Sequence, residues 1–186
     1  STFQTFYDDV RVPESAIIGE LNGGWNLIVN QLNYERVGLA PPGMMERNYE
    51  DVLEHARTTL LPDGRRLIDQ EWVQINLARV RAGIEYLTLL NWKVASLEAA
   101  GEVVNPADAS SIKVFGTEFF TDAYRLLAEV VGQPANLASG PAAALASRLN
   151  TGAQGTLILT FGGGVNEIQR DLIAMFGLGM PRSPRM

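Results

Sequence analysis

The chain has 186 residues, of which 46% are hydrophobic, and a formal net charge of −6, which is enough apolar material for one sizeable core. It contains no cysteine and a single histidine, His55, so disulfides, thiolate metal sites and multi-histidine metal sites are excluded. The acidic balance disfavours nucleic acid as a partner. No stretch is long and uncharged enough to cross a bilayer, and the N-terminus lacks the layout of a signal peptide. We therefore expect a cytoplasmic protein without membrane contact.

The first predicted elements are a strand and a long helix. Apolar and polar residues alternate over residues 3–12 until Pro13 stops the pattern, and this alternation predicts a strand followed by a loop. The Asn22-Gly23-Gly24 turn then opens a helix predicted over residues 25–58. We expect a kink at Pro41-Pro42-Gly43, because proline removes a backbone donor and clashes with the preceding turn.

The rest of the chain has helical periodicity. A loop over residues 60–66, built on Pro62-Asp63-Gly64, has turn chemistry, and Asn105 is expected to cap a later helix. The predicted helices cover residues 68–100, 106–131, 141–159 and 165–176. Helices of this length joined by short loops predict an all-α fold, an antiparallel bundle of four main helices preceded by a short β-strand stub. Four large side chains are expected in its core: Met44, Met45, Trp72 and Trp92.

Two short motifs carry the functional signal, although each is ordinary alone. Residues 32–36 read LNYER and residues 161–170 read FGGGVNEIQR. A Glu-Arg pair is common on exposed helix faces, and three glycines are typical of a flexible loop or helix breaker. Together with the stretches FYDDVRVP at residues 6–13, IGE at 18–20 and GGW at 23–25, in this order and spacing, they resemble the acyl-CoA dehydrogenase family.

This resemblance implies a domain organisation and a cofactor. In the family, FAD lies between a middle β-domain and a C-terminal helical bundle. Residues 1–21 then correspond to the terminal strand and linker of the β-domain, and residues 22–186 to the bundle. The chain looks like the C-terminal portion of a longer polypeptide, and this portion alone is expected to be inactive.

The resemblance also implies roles for individual residues. The family's signature, Tyr-Glu-Gly-Thr-x-(Gln/Glu)-Ile-Gln-Arg, contains the catalytic Glu, and that position falls on Gly163. A minority branch has a small residue there and carries its base in a Leu-x-x-Glu-Arg segment, which implies that Glu35 is the catalytic base. The remaining implied residues are the Gly163 backbone amide, Arg36 and Tyr34 for the acyl-CoA substrate, and Gly164, Val165 and Glu167 for the cofactor.

Two family elements that reach the flavin of the neighbouring subunit are altered here. The second Arg of one element is replaced by Thr59, and its Phe-Gly pair by Pro62-Asp63. A Gln-x-x-Gly-Gly turn aligns with residues 129–133, with Glu129 in place of the Gln. We therefore expect a complementary acyl-CoA dehydrogenase subunit, as in the actinobacterial heteromeric enzymes of the steroid-CoA type, to which the sequence looks similar. A homo-oligomer is the alternative.

The expected activity is α,β-desaturation of an acyl-CoA thioester, with electron-transfer flavoprotein as the implied acceptor. Two alternatives remain open at this point. The chain can be a non-catalytic assembly subunit, since Gly163 stands where the family's signature has its catalytic Glu. It can also be a flavin monooxygenase or oxidase on the same fold. The presence of Glu35 directly before Arg36 favours the dehydrogenase.

Overall fold

The computed structural model describes residues 3–132 and 139–182, apart from the side chain of Asn33. This part of the chain is dominated by α-helices, which are α1 (Gly24–Gly38), α2 (Pro42–Thr58), α3 (Glu71–Ala99), α4 (Pro106–Val131), α5 (Pro141–Thr156) and α6 (Asn166–Leu172). Short 3-10 turns lie at Glu14–Ala16, Leu67–Asp69 and Leu157–Thr160, and a π-helical turn, Ile173–Gly177, continues α6. None of the described helices is apolar over enough of its length to span a membrane.

The predicted strand at the N-terminus is not formed, and that expectation is corrected. Residues 3–13 have no regular secondary structure, and the side chains of Phe3 and Tyr7 are more than 80% exposed. A strand is stabilised by hydrogen bonds to a neighbouring strand, and none lies beside this segment in the described ranges. Alternation of residue types therefore identified a strand-like sequence without the pairing that makes a strand.

The predicted long first helix is two helices. Gly38 ends α1 and Pro42 begins α2, so the proline pair breaks the helix rather than kinking it. Pro41 is extended, with φ −68° and ψ 124°, because the residue before a proline is pushed out of the helical region. The break seats Ala40, which is 1% exposed, against α4, where a Cβ added at Gly116 would lie 2.8 Å from the Ala40 Cβ.

Helices α3 and α4 are antiparallel. Contacts between them pair rising residue numbers in α3 with falling numbers in α4: Asn76 with Glu129, Gly83 with Phe119, Leu87 with Gly116, and Lys93 with Asp108. The start of α4 is as predicted, since the Asn105 side chain accepts a hydrogen bond from the Ala107 backbone nitrogen at 2.9 Å and Pro106 occupies the first turn, where its missing N–H costs nothing.

The core lies around α4, which contacts each of the other five α-helices. Its largest fully buried apolar side chains are Met45, Leu87, Ile112, Phe120, Leu127 and Leu149. The all-α bundle is therefore confirmed.

Three of the four large side chains expected in the core are exposed, and that prediction is wrong for them. Met45 is buried, whereas Met44, Trp72 and Trp92 are 53%, 46% and 69% exposed. The face of α3 that is buried carries Val73, Leu77, Val80, Ile84, Leu87 and Val94. Successive helical residues are about 100° apart, so Trp72 lies outside this buried stripe although it neighbours Val73 in sequence.

Candidate active site

The two sequence motifs meet where the end of α1 packs against the glycine loop between Thr160 and Asn166. The Arg36 Nε donates a hydrogen bond of 3.3 Å to the Gly163 carbonyl oxygen, across 127 positions of sequence. Gly163 has a φ of +68°, and a Cβ added there would lie 3.0 Å from the Leu39 Cδ1 and 4.0 Å from the Arg36 Cγ. A side chain at position 163 would therefore start toward α1.

Glu35 lies beside this contact and is exposed. Residues four apart share a face of a helix, so Glu35 is on the side of α1 that carries Leu39, one turn earlier. The guanidinium of Arg36 is partly buried, and this burial lowers the pKa of Arg36 below its ordinary value. The negative charge of Glu35 opposes that shift. The arrangement places a carboxylate next to the residue that anchors the loop.

Tyr34 is not brought to the glycine loop. Tyr34 and Arg36 are two positions apart, which corresponds to about 200° around the helix axis. The two side chains therefore leave α1 on nearly opposite sides. Tyr34 is 58% exposed and lines a separate cleft of about 240 Å³ together with Val94 at the end of α3 and Val103 in the following loop. Asn33, the other polar residue of the motif, has a side chain outside the described residues.

A buried lysine beneath the loop was missed by sequence reasoning. The Lys113 side chain, on α4, is fully buried and donates to the Thr160 carbonyl oxygen at 2.9 Å and to the Asn166 Oδ1. Burial lowers its pKa; the charges of Glu118 and Glu167 raise it, and that of Arg36 lowers it. A signal was present, because Lys113 lies four residues after Ala109 and four before Thr117, within an otherwise uncharged stripe.

Asn166 and Arg170 continue this polar network. The Asn166 Nδ2 donates to the Thr117 Oγ1 at 3.2 Å and to the Glu118 Oε1 at 3.1 Å. The Arg170 Nη2 donates to both oxygens of Glu118 at 2.8 Å. Helix α6, which begins directly after the loop, is thus fixed to α4 by charge-assisted hydrogen bonds.

Gln169 accounts for the glycine at position 164. Its Oε1 accepts a hydrogen bond from the Ser110 Oγ at 2.8 Å, whereas its Nε2 is buried without a partner among the described residues. A Cβ at Gly164, where φ is +99°, would lie 2.5 Å from that nitrogen. Both the backbone conformation and the close approach of Gln169 therefore require glycine here.

Comparison with known proteins identifies the architecture. Residues 22–178 match the family model described as acyl-CoA dehydrogenase, C-terminal domain. The chain belongs to the acyl-CoA dehydrogenase family. It is 51% identical to the acyl-CoA dehydrogenase FadE26 of Mycobacterium tuberculosis over 99% of its own length and 47% of that protein.

Two solved structures are similar to this chain. The ChsE4-ChsE5 complex from Mycobacterium tuberculosis has a TM-score of 0.83 and 51% identity, covering 96% of this chain and 46% of that one. The Tcur3481-Tcur3483 steroid ACAD has a TM-score of 0.81 and 43% identity, covering 96% and 45%. The chain thus spans about half the length of its acyl-CoA dehydrogenase relatives.

The residues beside the glycine loop are compatible with a site for the family's flavin. Phe161, Val165 and Ile168 are 57%, 39% and 44% exposed, so the loop and the start of α6 carry apolar side chains of the kind that pack against a flat aromatic ring. Glu167 is exposed in the first turn of α6. Gly164 does not contribute an open cradle, because the Cβ direction at this position is filled by Gln169.

In the altered segment after α2, Thr59 and Asp63 form hydrogen bonds and an ion pair with other residues of this chain. The Thr59 carbonyl accepts from the Leu67 backbone nitrogen at 2.9 Å, and the Thr59 Oγ1 lies 3.3 Å from the His55 Nδ1. Asp63 is paired with Arg65 at 2.7 Å. Thr59 and Pro62 stand where the family resemblance implies an Arg and a Phe.

The second altered segment is described only in part. Glu129 accepts from the Arg125 Nη1 at 2.7 Å and from the Asn76 Nδ2 at 3.1 Å, so its carboxylate is engaged by neighbours in α4 and α3. Gly132 ends the helix with φ 91°. Gln133, the last residue of this segment, lies outside the described residues.

Proposed function

We propose that this chain is the C-terminal part of an FAD-dependent acyl-CoA dehydrogenase that desaturates the α,β-bond of an acyl-CoA thioester, with Glu35 as the base. Residues 1–21 would end a β-domain, and residues 22–186 would form the helical domain. The observation that carries the proposal is the hydrogen bond between Arg36 and Gly163. It joins the segment that bears the candidate base to the position at which the family's signature otherwise has its acid.

The chemistry requires a base for a weakly acidic α-proton. The Gly163 backbone N–H is proposed to donate to the thioester carbonyl, which stabilises the negative charge that develops as the proton leaves. Glu35 accepts the α-proton, and Arg36 keeps the loop against α1. Glu35 is exposed among the described residues, so the substrate and the rest of the protein are proposed to cover it during the reaction.

The cofactor supplies the redox chemistry. When bound, FAD would supply this chemistry as the acceptor of the β-hydrogen. Gly164, Val165 and Glu167 are the residues of this chain proposed to lie along it, with Phe161 extending the apolar face. Tyr34 and Arg36 were both implied as substrate residues, and of the two, Arg36 has the better support, since Tyr34 lines a different cleft.

The test of the base is Glu35→Gln in the full-length protein with its partners and flavin. Loss of a general base costs ~10²–10⁴-fold or more in turnover, and flavin content is expected to stay unchanged. The matched control is Glu46→Gln, since Glu46 is another exposed carboxylate, on α2, paired with Arg81. Turnover of Glu35→Gln equal to that of the control would reject Glu35 as the base and favour an assembly role for this chain.

We also propose a heteromeric assembly with a complementary acyl-CoA dehydrogenase subunit. The support is the pair of altered segments at Thr59 to Asp63 and at Glu129, together with the similarity to the ChsE4-ChsE5 complex and to the Tcur3481-Tcur3483 steroid ACAD. By analogy with the latter, a steroid ACAD, the proposed substrate is a steroid side-chain CoA thioester, with electron-transfer flavoprotein as acceptor. Native mass and flavin absorbance test this assembly. Co-expression should give about half the flavin per chain of a homotetramer, and a fully flavinated homotetramer would contradict it.

A further inference from the structure

We infer that Lys113 is a positioning residue for the reaction proposed above, which holds both ends of the glycine loop so that the Gly163 peptide stays in one place. The inference rests on the proposed function for its catalytic consequence. Its structural part stands on the contacts of Lys113 alone.

The loop is held at three points by two cations from different helices. The Lys113 Nζ binds the Thr160 carbonyl at the start of the loop and the Asn166 side chain at its end. The Arg36 Nε binds the Gly163 carbonyl in the middle. Between the two Lys113 contacts lie only residues 161–165, three of which are glycines, so this short segment has little stiffness of its own.

A buried lysine in this position destabilises the fold unless hydrogen bonds to its ammonium group offset the loss of hydration. Burial of an ammonium group is unfavourable, and an apolar side chain would fill the same space in the core without that penalty. An ammonium offers three donors and no acceptor, and here at least two of them reach loop-end oxygens. Its charge is balanced indirectly, because Asn166 bridges Lys113 to the carboxylate of Glu118.

The geometry explains why the effect would appear in catalysis. The proposed donor to the thioester carbonyl is the Gly163 backbone N–H, which has no side chain to fix it and moves with the loop. Misplacement of a reacting group by about 1 Å can cost ~10²-fold in rate. Lys113 is buried beneath the loop and therefore acts through Thr160 and Asn166 rather than by touching the substrate.

The experiment compares Lys113→Met with Lys93→Met in the full-length protein with its partners and flavin. Lys93 is the matched control, because its Nζ also pairs with a residue of α4, Asp108, at 2.6 Å, without contact to the loop. Amide hydrogen exchange of residues 160–166 is measured by mass spectrometry, and kcat and KM are measured separately.

For Lys113→Met we expect faster exchange confined to residues 160–166 and the adjoining start of α6, and a fall of ~10²-fold in kcat with little change in KM. Lys93→Met should change neither quantity. Should Lys113→Met fail to fold, Asn166→Ala is the second variant. It removes one of the two oxygens that the Lys113 ammonium binds and leaves the lysine in place, and the same local increase in exchange is expected.

The inference would be overturned by unchanged loop exchange in these variants, or by a kcat of Lys113→Met equal to that of the control. A purely structural lysine would lower the stability of the whole bundle and raise exchange in α2 and α5 as much as in the loop. Failure of the proposed function is a separate result. In that case the unsubstituted protein shows no desaturation, while the exchange measurement still decides whether Lys113 holds the loop.

Discussion

The left-handed backbone conformation of Gly163 determines how much stability the variant Gly163→Ala should lose. In Gly163→Ala, the new side chain must adopt a φ of +68°, and a left-handed conformation costs an L-residue roughly 1–2 kcal/mol. The Cβ would also lie 3.0 Å from the Leu39 Cδ1. That atom ends a half-buried, flexible side chain, so a shift of a few tenths of an ångström relieves the contact. We expect the free energy of unfolding to fall by about 1–2 kcal/mol.

Gly64→Ala is the control that separates conformational strain from contact. Gly64 has a φ of +81° and open space around its Cβ direction, so this variant carries the strain alone. Urea denaturation of both variants, followed by circular dichroism, should give losses that agree within about 0.5 kcal/mol. A Gly163→Ala variant as stable as the parent chain, or one several kcal/mol less stable than Gly64→Ala, would refute the described packing of the loop against α1.

Further predictions concern packing, pH and the location of the acid. Gly152→Ala should destabilise α5, because its Cβ would lie 2.4 Å from a buried tyrosine ring, whereas Gly155→Ala in the same helix meets nothing within 4 Å and should stabilise by ~1 kcal/mol in thermal or urea unfolding. Burial lowers the pKa of His55 in the folded chain below the unfolded value of ~6.5, so the unfolded chain binds the proton more readily and stability falls as pH drops from ~6.5 toward the lowered folded value. In His55→Gln, the difference between the free energies of unfolding at pH 8 and at pH 5.5 should be smaller than in the unsubstituted chain. The double variant Glu35→Gly with Gly163→Glu should recover desaturation with a shifted chain-length preference, and recovery with identical preference would argue against one shared pocket.

Local chemistry predicted those parts of the fold that short segments determine. Asn105 and Pro106 begin α4 as expected, because a cap and an N-terminal proline act within one turn. The proline pair at Pro41 and Pro42 was recognised as an interruption, although it separates two helices instead of bending one. The strand over residues 3–12 was predicted wrongly, because a strand depends on a partner that the local sequence does not contain.

The candidate site divides in the same way. The motifs containing Glu35 and Gly163 were recognised by resemblance, and the Arg36 hydrogen bond now joins them. Lys113 was not foreseen, because a lysine on an amphipathic helix is ordinarily solvated. Its place in an uncharged stripe of α4 was a signal of burial, and the packing of the loop onto α4 shows which groups its ammonium contacts. Tyr34 neighbours Glu35 in sequence, but helix rotation directs it into another cleft.

The central claim, that Glu35 removes the α-proton, is tested most directly by hydrogen exchange into a substrate analogue that cannot transfer a β-hydride, such as an acyl-CoA with sulfur at the β-position. In deuterium oxide, the full-length complex should incorporate deuterium at the α-carbon, as followed by mass spectrometry. Glu35→Gln should slow this exchange by ~10²–10⁴-fold, and Glu46→Gln should not. Exchange by Glu35→Gln at the rate of the unsubstituted complex would contradict the account.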